Sequence, residues 1–455
     1  MTRSTQPKIK NQKSRIILGL LRAYESRNVT FIETDGSWPI VWEHAKGVHV
    51  WDLEGKKYLD LTAAFGVAAA GHGNPAVVAA GQRQMKVLLH AMGDVHPHPL
   101  KARLARELSR ITFEHWTAKS NVAGSDKAAI AAKTIFCNSG FEAVEAALKT
   151  TMLATGKAGV IAFRAAYHGL GYGALNATHR EHFRSPFRPQ LREFGHFVVF
   201  PTSRAGLKLV ETQIRRVFRR NLIGAILAEP IQVRGGVNVP PPEFLPLLRQ
   251  LCDEHNALLI LDEIYTGFGR SGRWFACEHS AVVPDLICLG KALTGGFPLS
   301  ACVGRADLMD AAWPSSSGEA IHTSTFLGHP VGCAMALAQI KEIDRHGLVH
   351  RSAELGQCLL AWLGCLRAPA TILRLRARGL GLLAGLELQG PDGSPATRFA
   401  LQIIKDMLHS GFILLPEGEH ANVISFTPPL TITSPQLRMT TKALEKLLNS
   451  GSRRR

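Results

Sequence analysis

A lysine and an aspartate stand out because of the segments that carry them. Lys291 lies in the apolar, glycine-rich stretch 287–298, and Asp262 ends the apolar run 258–261. A lysine amine forms a Schiff base with a carbonyl, and an acid on a pyridine nitrogen makes pyridoxal phosphate (PLP) an electron sink. The apolar run predicts a central parallel strand, beyond whose carboxyl end ligands bind. The pair therefore predicts PLP chemistry, with a solvent-facing lysine as the alternative.

Length and composition place the chain among globular enzymes. Its 455 residues exceed what one hydrophobic core usually holds, so we expect two domains. Hydrophobic residues make up 46% and charged residues 20%, which argues against disorder. The net charge of +17 is compatible with an anionic partner. The basic residues are dispersed, however, and no zinc-finger or RNA-binding signature occurs, so we expect a solvated basic surface and no nucleic-acid partner.

The cysteines and the apolar runs bear on location. The eight cysteines contain no Cys-x-x-Cys pair and lie mostly in apolar runs, which predicts buried, reduced thiols. No stretch reaches the roughly 18 apolar residues of a membrane span, so we expect no membrane partner. The basic N-terminus is similar to a transit peptide, but residues 16–22 also fit a short amphipathic helix. We expect a cytoplasmic protein, and an organellar address stays open.

The chain changes its pattern twice along its length. Residues 40–62 alternate and turn like a small antiparallel unit. From about residue 75, helical runs alternate with short apolar strands, which is typical of a parallel α/β sheet. The predicted strands are 134–137, 159–163, 196–200, 224–228, 257–261, 286–288 and 299–303. We expect residues 1–74 to contribute to a small domain and the substrate entrance, 75–330 to form a large PLP-binding domain and 331–455 to form a C-terminal small α+β domain.

Further segments place polar or aromatic groups where a phosphate and a ring would need them. Ser139 and Gly140 follow a predicted strand and open a helix, whose first N–H groups can hold a phosphate. Tyr167 follows the next strand, where its ring could stack on a planar ring. Glu229 ends another strand, and hydroxyls in 322–325 follow the lysine. Taken singly, a tyrosine such as Tyr167 is more often a core residue than a stacking ring, and Glu229 fits a solvent-facing strand end equally well.

Three neighbouring histidines raise the question of a metal site. His90, His96 and His98 lie close together in the sequence. Their spacing fits no recognised zinc pattern, and prolines interrupt the group. We therefore expect no metal.

Six motifs occur in order between residues 138 and 330, within a wider match that runs from about residue 52 to residue 430. They are Asn-Ser-Gly-x-Glu-Ala, Tyr-His-Gly, Glu-Pro-Ile-Gln, Asp-Glu-Ile-x-Thr-Gly-Phe-Gly-Arg, Gly-Lys-Ala-Leu-Thr-Gly-Gly-Phe-Pro and Ser-Thr-Phe-x-Gly-x-Pro. The set resembles the class III (omega) PLP-dependent aminotransferases of the 4-aminobutyrate and ornithine type. The resemblance implies the α/β fold type I of PLP-dependent transferases, with a mainly parallel central sheet, and an active site shared across a homodimer.

The resemblance also implies roles for individual residues. Lys291 would carry the Schiff base and move the proton, and Asp262 would keep the pyridine nitrogen protonated. The backbone of Ser139, Gly140 and Phe141 would hold the phosphate. The other cofactor-binding residues that it implies are Tyr167 on the ring, His168, Glu229 near Asp262, Tyr265 in place of a frequent glutamine, and Thr325 at the neighbouring subunit's phosphate. Arg270, although part of a motif, is interpreted as structural.

The chain departs from the family where its ornithine and 2-oxoglutarate relatives bind carboxylates. Ser425 replaces an arginine, and Arg234 replaces the glutamate that gates that arginine. Leu170 stands where many members have an arginine, and Phe65 where a tyrosine often contacts substrate. The usual clamp for an α-carboxylate is therefore absent from the sequence. Losing a charged partner costs about 1.5–3 kcal/mol, or roughly tenfold to a hundredfold in affinity, so we expect a different substrate scope.

These departures favour a donor whose reacting amine is terminal. We predict an aminotransferase that moves this amine from an ω-amino acid or diamine, similar to 4-aminobutyrate, to a 2-oxo acid. The predicted substrate-binding residues are Phe65, Ser425 and Arg234, the last for a distal anionic group or, alternatively, as a surface arginine beside a Gly-Gly turn. A PLP-dependent aminomutase, decarboxylase or ammonia-lyase of the same fold stays open. A non-catalytic binding protein is disfavoured because Lys291 and Asp262 are both present.

Overall fold

The computed structural model describes residues 12–34, 36–120, 129–369 and 373–450. Its helices are α1 (Gln12–Tyr24), α2 (Ala63–Gly66), α3 (Pro75–Val87), α4 (Pro99–Ser109), α5 (His115–Ser120), α6 (Gly140–Thr155), α7 (Tyr172–Ala177), α8 (Glu181–Arg184), α9 (Leu207–Arg220), α10 (Phe244–His255), α11 (Ala306–Ala312), α12 (Pro330–Arg345), α13 (Leu348–Cys365), α14 (Thr397–His409) and α15 (Ser434–Ser450). Its strands are β1 (Trp42–Lys46), β2 (His49–Asp52), β3 (Lys57–Asp60), β4 (Ala132–Cys137), β5 (Gly159–Phe163), β6 (Gly195–Val198), β7 (Ile223–Ala228), β8 (Leu258–Asp262), β9 (Leu286–Leu289), β10 (Ser300–Arg305), β11 (Arg374–Leu380), β12 (Leu383–Gln389), β13 (Phe412–Ile413), β14 (Leu415–Glu417) and β15 (Val423–Phe426).

A seven-stranded sheet forms the centre of the molecule, in the order β4-β10-β9-β8-β7-β5-β6. Strands β9, β8, β7, β5 and β6 pair in parallel, whereas β10 is antiparallel to both of its neighbours. Every residue of β5 and β7 is buried, as expected for parallel strands with helices on both faces. The predicted α/β class with a mainly parallel sheet is confirmed.

The direction of these strands decides where their ends meet. Because β10 is antiparallel to both β4 and β9, strand β4 runs in the same direction as the parallel strands. The carboxyl ends of β4, β5, β7, β8 and β9 therefore lie along one edge of the sheet. The segments predicted to carry the chemistry follow these five strands, so the topology delivers them to the same edge.

Two four-stranded sheets accompany the central one, in the orders β1-β2-β3-β13 and β11-β12-β15-β14. The predicted antiparallel unit near the N-terminus is β1, β2 and β3. It gains a fourth strand from far along the chain, since β13 pairs in parallel with β3 through Phe412 and Leu59. A hydrogen bond of 2.7 Å from Thr427 N to Leu61 O adds a second link. Residues near both ends of the chain thus pack together.

Arg270 joins the central region to the second small sheet. Its side chain is 2% exposed, and Nη1 donates to the carbonyl oxygens of Leu382 (3.0 Å) and Pro428. Burial lowers its pKa to about 10. These contacts agree with the structural interpretation of this arginine. Within the described ranges, no helix combines the length and apolar character needed to cross a membrane.

Candidate active site

A buried pair of acid and imidazole lies at the carboxyl end of β8. Asp262 Oδ2 accepts a hydrogen bond of 2.8 Å from His168 Nδ1, and both side chains are buried. The other oxygen, Oδ1, accepts from Ile264 N at 3.1 Å. His168 Nε2 is buried with no hydrogen-bond partner among the residues that the structure describes. The Asp262 carboxyl group is thus held in a buried position, where a positively charged ring nitrogen would be a suitable partner.

Lys291 follows β9 at the same edge, in an unusual backbone conformation. Its φ of 38° lies in the left-handed region, where side-chain-bearing residues are uncommon and which is often found at functional sites. The Nζ atom lies 4.6 Å from the centroid of the Tyr265 ring. Burial lowers the pKa of the ammonium, while the carboxyl groups of Asp262 and Glu229 oppose that shift. A lowered pKa increases the fraction of neutral amine, which is the nucleophilic form.

Glu229 is a buried residue of this site, so its solvent-facing alternative does not hold. Its side chain is 6% exposed, and Oε1 accepts a hydrogen bond of 3.0 Å from Tyr167 N. Burial raises the pKa of Glu229 to about 7, against the opposing charge of His168. The carboxyl group therefore fixes the backbone that presents the Tyr167 ring.

The start of α6 forms an anion cradle. The Asn138 and Ser139 N–H groups donate to the Glu142 carboxylate at 2.6 and 2.9 Å, which fixes the turn from β4 into the helix. The next N–H groups, of Gly140 and Phe141, belong to the first helical turn and have no intrahelical acceptor. They are available to a phosphate, which the helix dipole also favours.

Ile264 is a site residue that the sequence reasoning missed. A Cβ added to Gly140 would lie 3.1 Å from Ile264 Cδ1, and one added to Gly290 would lie 3.3 Å from Ile264 Cγ2. The side chain thus reaches from the helix start to the residue before Lys291, as an apolar wall. Its position two residues after Asp262, in the turn that follows β8, was the available signal.

Arg234 is paired, and its partner was not predicted. Its Nη1 donates to both carboxylate oxygens of Glu417, at 3.0 and 3.2 Å. The Glu417 side chain is 1% exposed and that of Arg234 is 28% exposed, so the surface-arginine alternative does not hold. The guanidinium carbon lies 5.7 Å from the centroid of the Tyr167 ring. The charge of Arg234 is therefore already compensated inside the site.

The short segment α2, which contains Phe65, lies against Tyr265. Tyr265 OH lies 3.5 Å from Thr427 Oγ1. All four residues of α2 have positive φ, and a Cβ on Gly66 would lie 2.9 Å from Tyr265 Cε1. This turn brings the backbone against Tyr265 and leaves the neighbouring Phe65 side chain 51% exposed. The turn therefore borders the site beside Tyr265.

The remaining two predicted residues have contrasting surroundings. Ser425 is buried in β15, opposite Gly385 and Leu415 of the adjacent strands. Thr325 is exposed, and the preceding Ser324 hydroxyl lies 3.5 Å from Asn138 Nδ2. Ser425 thus contributes no cation to the site.

The side chains at this edge fit PLP in three respects. Lys291 offers an amine with a lowered pKa, Asp262 offers a held carboxylate, and the start of α6 offers N–H groups to a phosphate. The unpartnered Nε2 of His168 is a further polar atom that a bound group could satisfy. Within the described part of the chain, no group of three or more His, Cys, Asp or Glu side chains could hold a metal ion.

Comparison with known proteins decides the family. A family model described as Aminotransferase class-III matches residues 31–448. The chain belongs to this family. It is 36% identical over 410 residues to the 5-aminovalerate aminotransferase of Pseudomonas aeruginosa, covering 88% of this chain and 91% of the relative. It is also 36% identical over 423 residues to the putrescine aminotransferase of Pectobacterium atrosepticum, covering 92% and 84%.

Solved structures agree with this family. The ornithine aminotransferase of Toxoplasma gondii, in a structure described as having partial occupancy of PLP at its active site, matches with a TM-score of 0.80 and 28% identity, covering 98% of this chain and 96% of that one. The chain is thus an enzyme, a PLP-dependent class-III aminotransferase of fold type I. The predicted family, fold, enzyme class and cofactor are confirmed.

Proposed function

We propose that this aminotransferase moves a terminal amino group from an ω-amino acid or a diamine to a 2-oxo acid. The observation that carries the proposal is the Arg234–Glu417 pair. The charges of Arg234 and Glu417 both act on Lys291, and both Glu417 oxygens already accept from Arg234. An α-carboxylate beside the reacting amine therefore lacks the bidentate guanidinium that usually binds it. The relatives named for 5-aminovalerate and putrescine, both terminal amines, support the same donor class.

In this proposal Lys291 has two tasks. Its Nζ would hold the cofactor at the aldehyde carbon, and as the free amine it would take the proton from the carbon that carries the donor amine. PLP, when bound, supplies the electron sink for the carbanion. The lowered pKa of Lys291 increases the fraction of neutral amine, the form that acts as a base. Lys291 follows β9 with a φ of 38°, and the charge of Asp262, at the end of the adjacent strand β8, acts on its amine.

The neighbouring side chains hold the ring and the phosphate. Asp262, positioned by His168, would keep a positive charge on the ring nitrogen. The N–H groups after Ser139 would bind the phosphate. The complete proposed cofactor-binding set is Ser139, Gly140, Phe141, Tyr167, His168, Glu229, Asp262, Tyr265, Lys291 and Thr325 of the neighbouring subunit, and the proposed substrate-binding set is Phe65, Arg234 and Ser425.

The donor class is tested with the PLP-loaded enzyme and no acceptor. Terminal amines such as 4-aminobutyrate, 5-aminovalerate and 1,4-diaminobutane are expected to remove the visible absorbance of the lysine-bound cofactor. α-Amino acids that lack a second amine, such as alanine, are expected to react at least about tenfold more slowly, since the carboxylate clamp is missing. Faster reaction of the α-amino acids would contradict the proposal.

We also propose that the enzyme is a homodimer whose interface covers an apolar surface beside the site. The exposed large apolar side chains of two segments form it: Val87, Leu89, Met92, Val95, Ile321 and Phe326. The His90 ring lies 5.3 Å from the Phe326 ring, and Thr323 donates to Asp94, so the two segments are continuous. Exposed apolar surface of this kind is typical of an interface. Light scattering should give twice the chain mass of 49.5 kDa.

The domain boundaries and the cellular location of the protein are two further proposals. We propose the domain division at about residues 74 and 330, and the pairing of β3 with β13 supports a small domain built from both ends. Limited proteolysis that cuts near these positions checks the division. We also propose a cytoplasmic location, because none of the eight cysteines forms a disulfide, which fits a reducing compartment. Cell fractionation checks this location.

A further inference from the structure

A second arginine, Arg180, lies next to the Arg234–Glu417 pair and belongs to none of the six motifs. Arg180 precedes α8, and its Nη2 lies 3.5 Å from the carbonyl oxygen of Gly418, the residue after Glu417. Its guanidinium carbon lies 5.5 Å from the centroid of the Phe183 ring. Arg180, Arg234 and Glu417 all act electrostatically on one another. Two guanidinium groups thus lie around the buried carboxylate of Glu417, and the exposed carboxylate of Glu419 also acts on Arg180.

The two arginines differ in how their charge is compensated. Both Glu417 oxygens accept from Arg234, so that pair is close to neutral. Among the residues that the structure describes, Arg180 forms no direct ion pair, although the charges of Glu417 and the exposed Glu419 act on it, and its one hydrogen bond, to a carbonyl, is long. Burial and the nearby charge of Arg234 lower the pKa of Arg180. A half-buried guanidinium with unused donors favours an incoming anion.

The difference in charge compensation between Arg180 and Arg234 determines which group is favoured at the non-reacting end of the substrate. A distal carboxylate would gain a charge-assisted hydrogen bond from Arg180. A distal ammonium would meet the positive charge of Arg180, while Arg234 already occupies the oxygens of Glu417. Repulsion between Arg180 and a distal ammonium group would therefore disfavour a diamine relative to an ω-amino acid of the same length.

We propose that Arg180 binds the distal carboxylate of the substrate and so makes the enzyme select ω-amino acids over diamines of the same length. The proposal rests on the terminal-amine activity proposed above and narrows its donor class. Arg180 is a specificity residue here, since it contacts the non-reacting end of the donor and leaves the chemistry at Lys291 to other groups.

The test uses donors that share the reacting amine and differ at the far end. 4-Aminobutyrate carries a carboxylate there, 1,4-diaminobutane an ammonium group and 1-aminobutane a methyl group. The kcat/KM of the half-reaction without acceptor is measured for each, in the PLP-loaded wild-type enzyme and in Arg180→Gln. Arg180→Lys, which keeps the positive charge but loses the planar guanidinium with its paired N–H donors, serves as the conservative variant. Arg220→Gln, at the exposed end of α9, controls for the loss of one positive charge.

The wild-type enzyme is expected to prefer 4-aminobutyrate to 1,4-diaminobutane. Arg180→Gln should lower kcat/KM for 4-aminobutyrate about tenfold to a hundredfold and leave the value for 1-aminobutane unchanged. Arg180→Lys should lose less, and Arg220→Gln should behave as wild type. The proposal is overturned if the wild type prefers the diamine, if Arg180→Gln affects all three donors equally, or if it affects none. If no terminal amine reacts at all, the proposed function itself fails, and the specificity inference fails with it.

Discussion

Replacing Lys291 with alanine is expected to lower kcat at least about 10²–10⁴-fold, the range that a positioned acid–base group contributes. The change removes both the amine that joins the cofactor and the group that moves the proton. The side chain lies over Tyr265, and its pKa is lowered by burial, so no solvent-exposed lysine can replace it. The kcat of the PLP-loaded variant measures the loss. Lys208→Ala, an exposed lysine on α9, is the matched control and should leave kcat unchanged.

The same variant separates cofactor attachment from catalysis. Borohydride reduction of the loaded wild-type enzyme should fix the cofactor mass on the peptide that contains Lys291. The fixed mass should be absent from Lys291→Ala, even if the variant still binds the cofactor through the start of α6. A fixed mass on another lysine of the wild-type enzyme would contradict the assignment.

The Asp262→Asn enzyme is expected to lose about 10²–10³-fold in kcat, the size seen when one electrostatic stabiliser of a transition state is removed. Asparagine has nearly the same shape and can still accept from His168 Nδ1, so the local packing should survive. What is lost is the negative charge that opposes the ring nitrogen. Asp262 is 5% exposed, so water cannot substitute for that charge.

The control for this prediction is Asp253→Asn. The Asp253 side chain is 65% exposed on α10, so removal of its charge should leave kcat unchanged. Urea unfolding checks that both variants fold like the wild type. A loss of less than about tenfold in Asp262→Asn, with normal folding, would show that the ring nitrogen needs no anionic partner in this enzyme.

The central sheet and the residues at its edge were predictable from the sequence because their signals are local. The bounds predicted for β5 match the structure, since its apolar run is flanked by polar and glycine-rich turns. Once several such strands are taken as parallel, the residues that follow them must meet at one edge. Lys291 and Asp262 were therefore brought together by topology, without any knowledge of the contact between His168 and Asp262.

Other parts depended on contacts that a single sequence does not encode locally. Strand β13 has two residues and pairs with β3 from the opposite end of the chain, too short a run for a periodic pattern. Strand β11 contains three arginines at alternate positions, so its sequence has the composition of a polar loop. Helices α13 and α15 were likewise not predicted.

The substrate side shows the same limit most clearly. Arg234 was identified because it replaces a family glutamate, but its partner Glu417 ends the short strand β14 and carries no motif. Arg180 follows a helix of six residues and also lacks a motif. A departure from a family pattern reveals where charge has changed, whereas the compensating charge becomes visible only in three dimensions.

The measurement that tests the central claim most directly follows the nitrogen atom. The loaded enzyme is incubated with 4-aminobutyrate labelled with ¹⁵N at its amine, in the presence of a 2-oxo acid such as 2-oxoglutarate or pyruvate. Transfer of a terminal amino group predicts that mass spectrometry finds the label in the amino acid derived from the acceptor, and that Lys291→Ala abolishes it. Label released as free ammonia, with none in that amino acid, would contradict the account and favour a lyase.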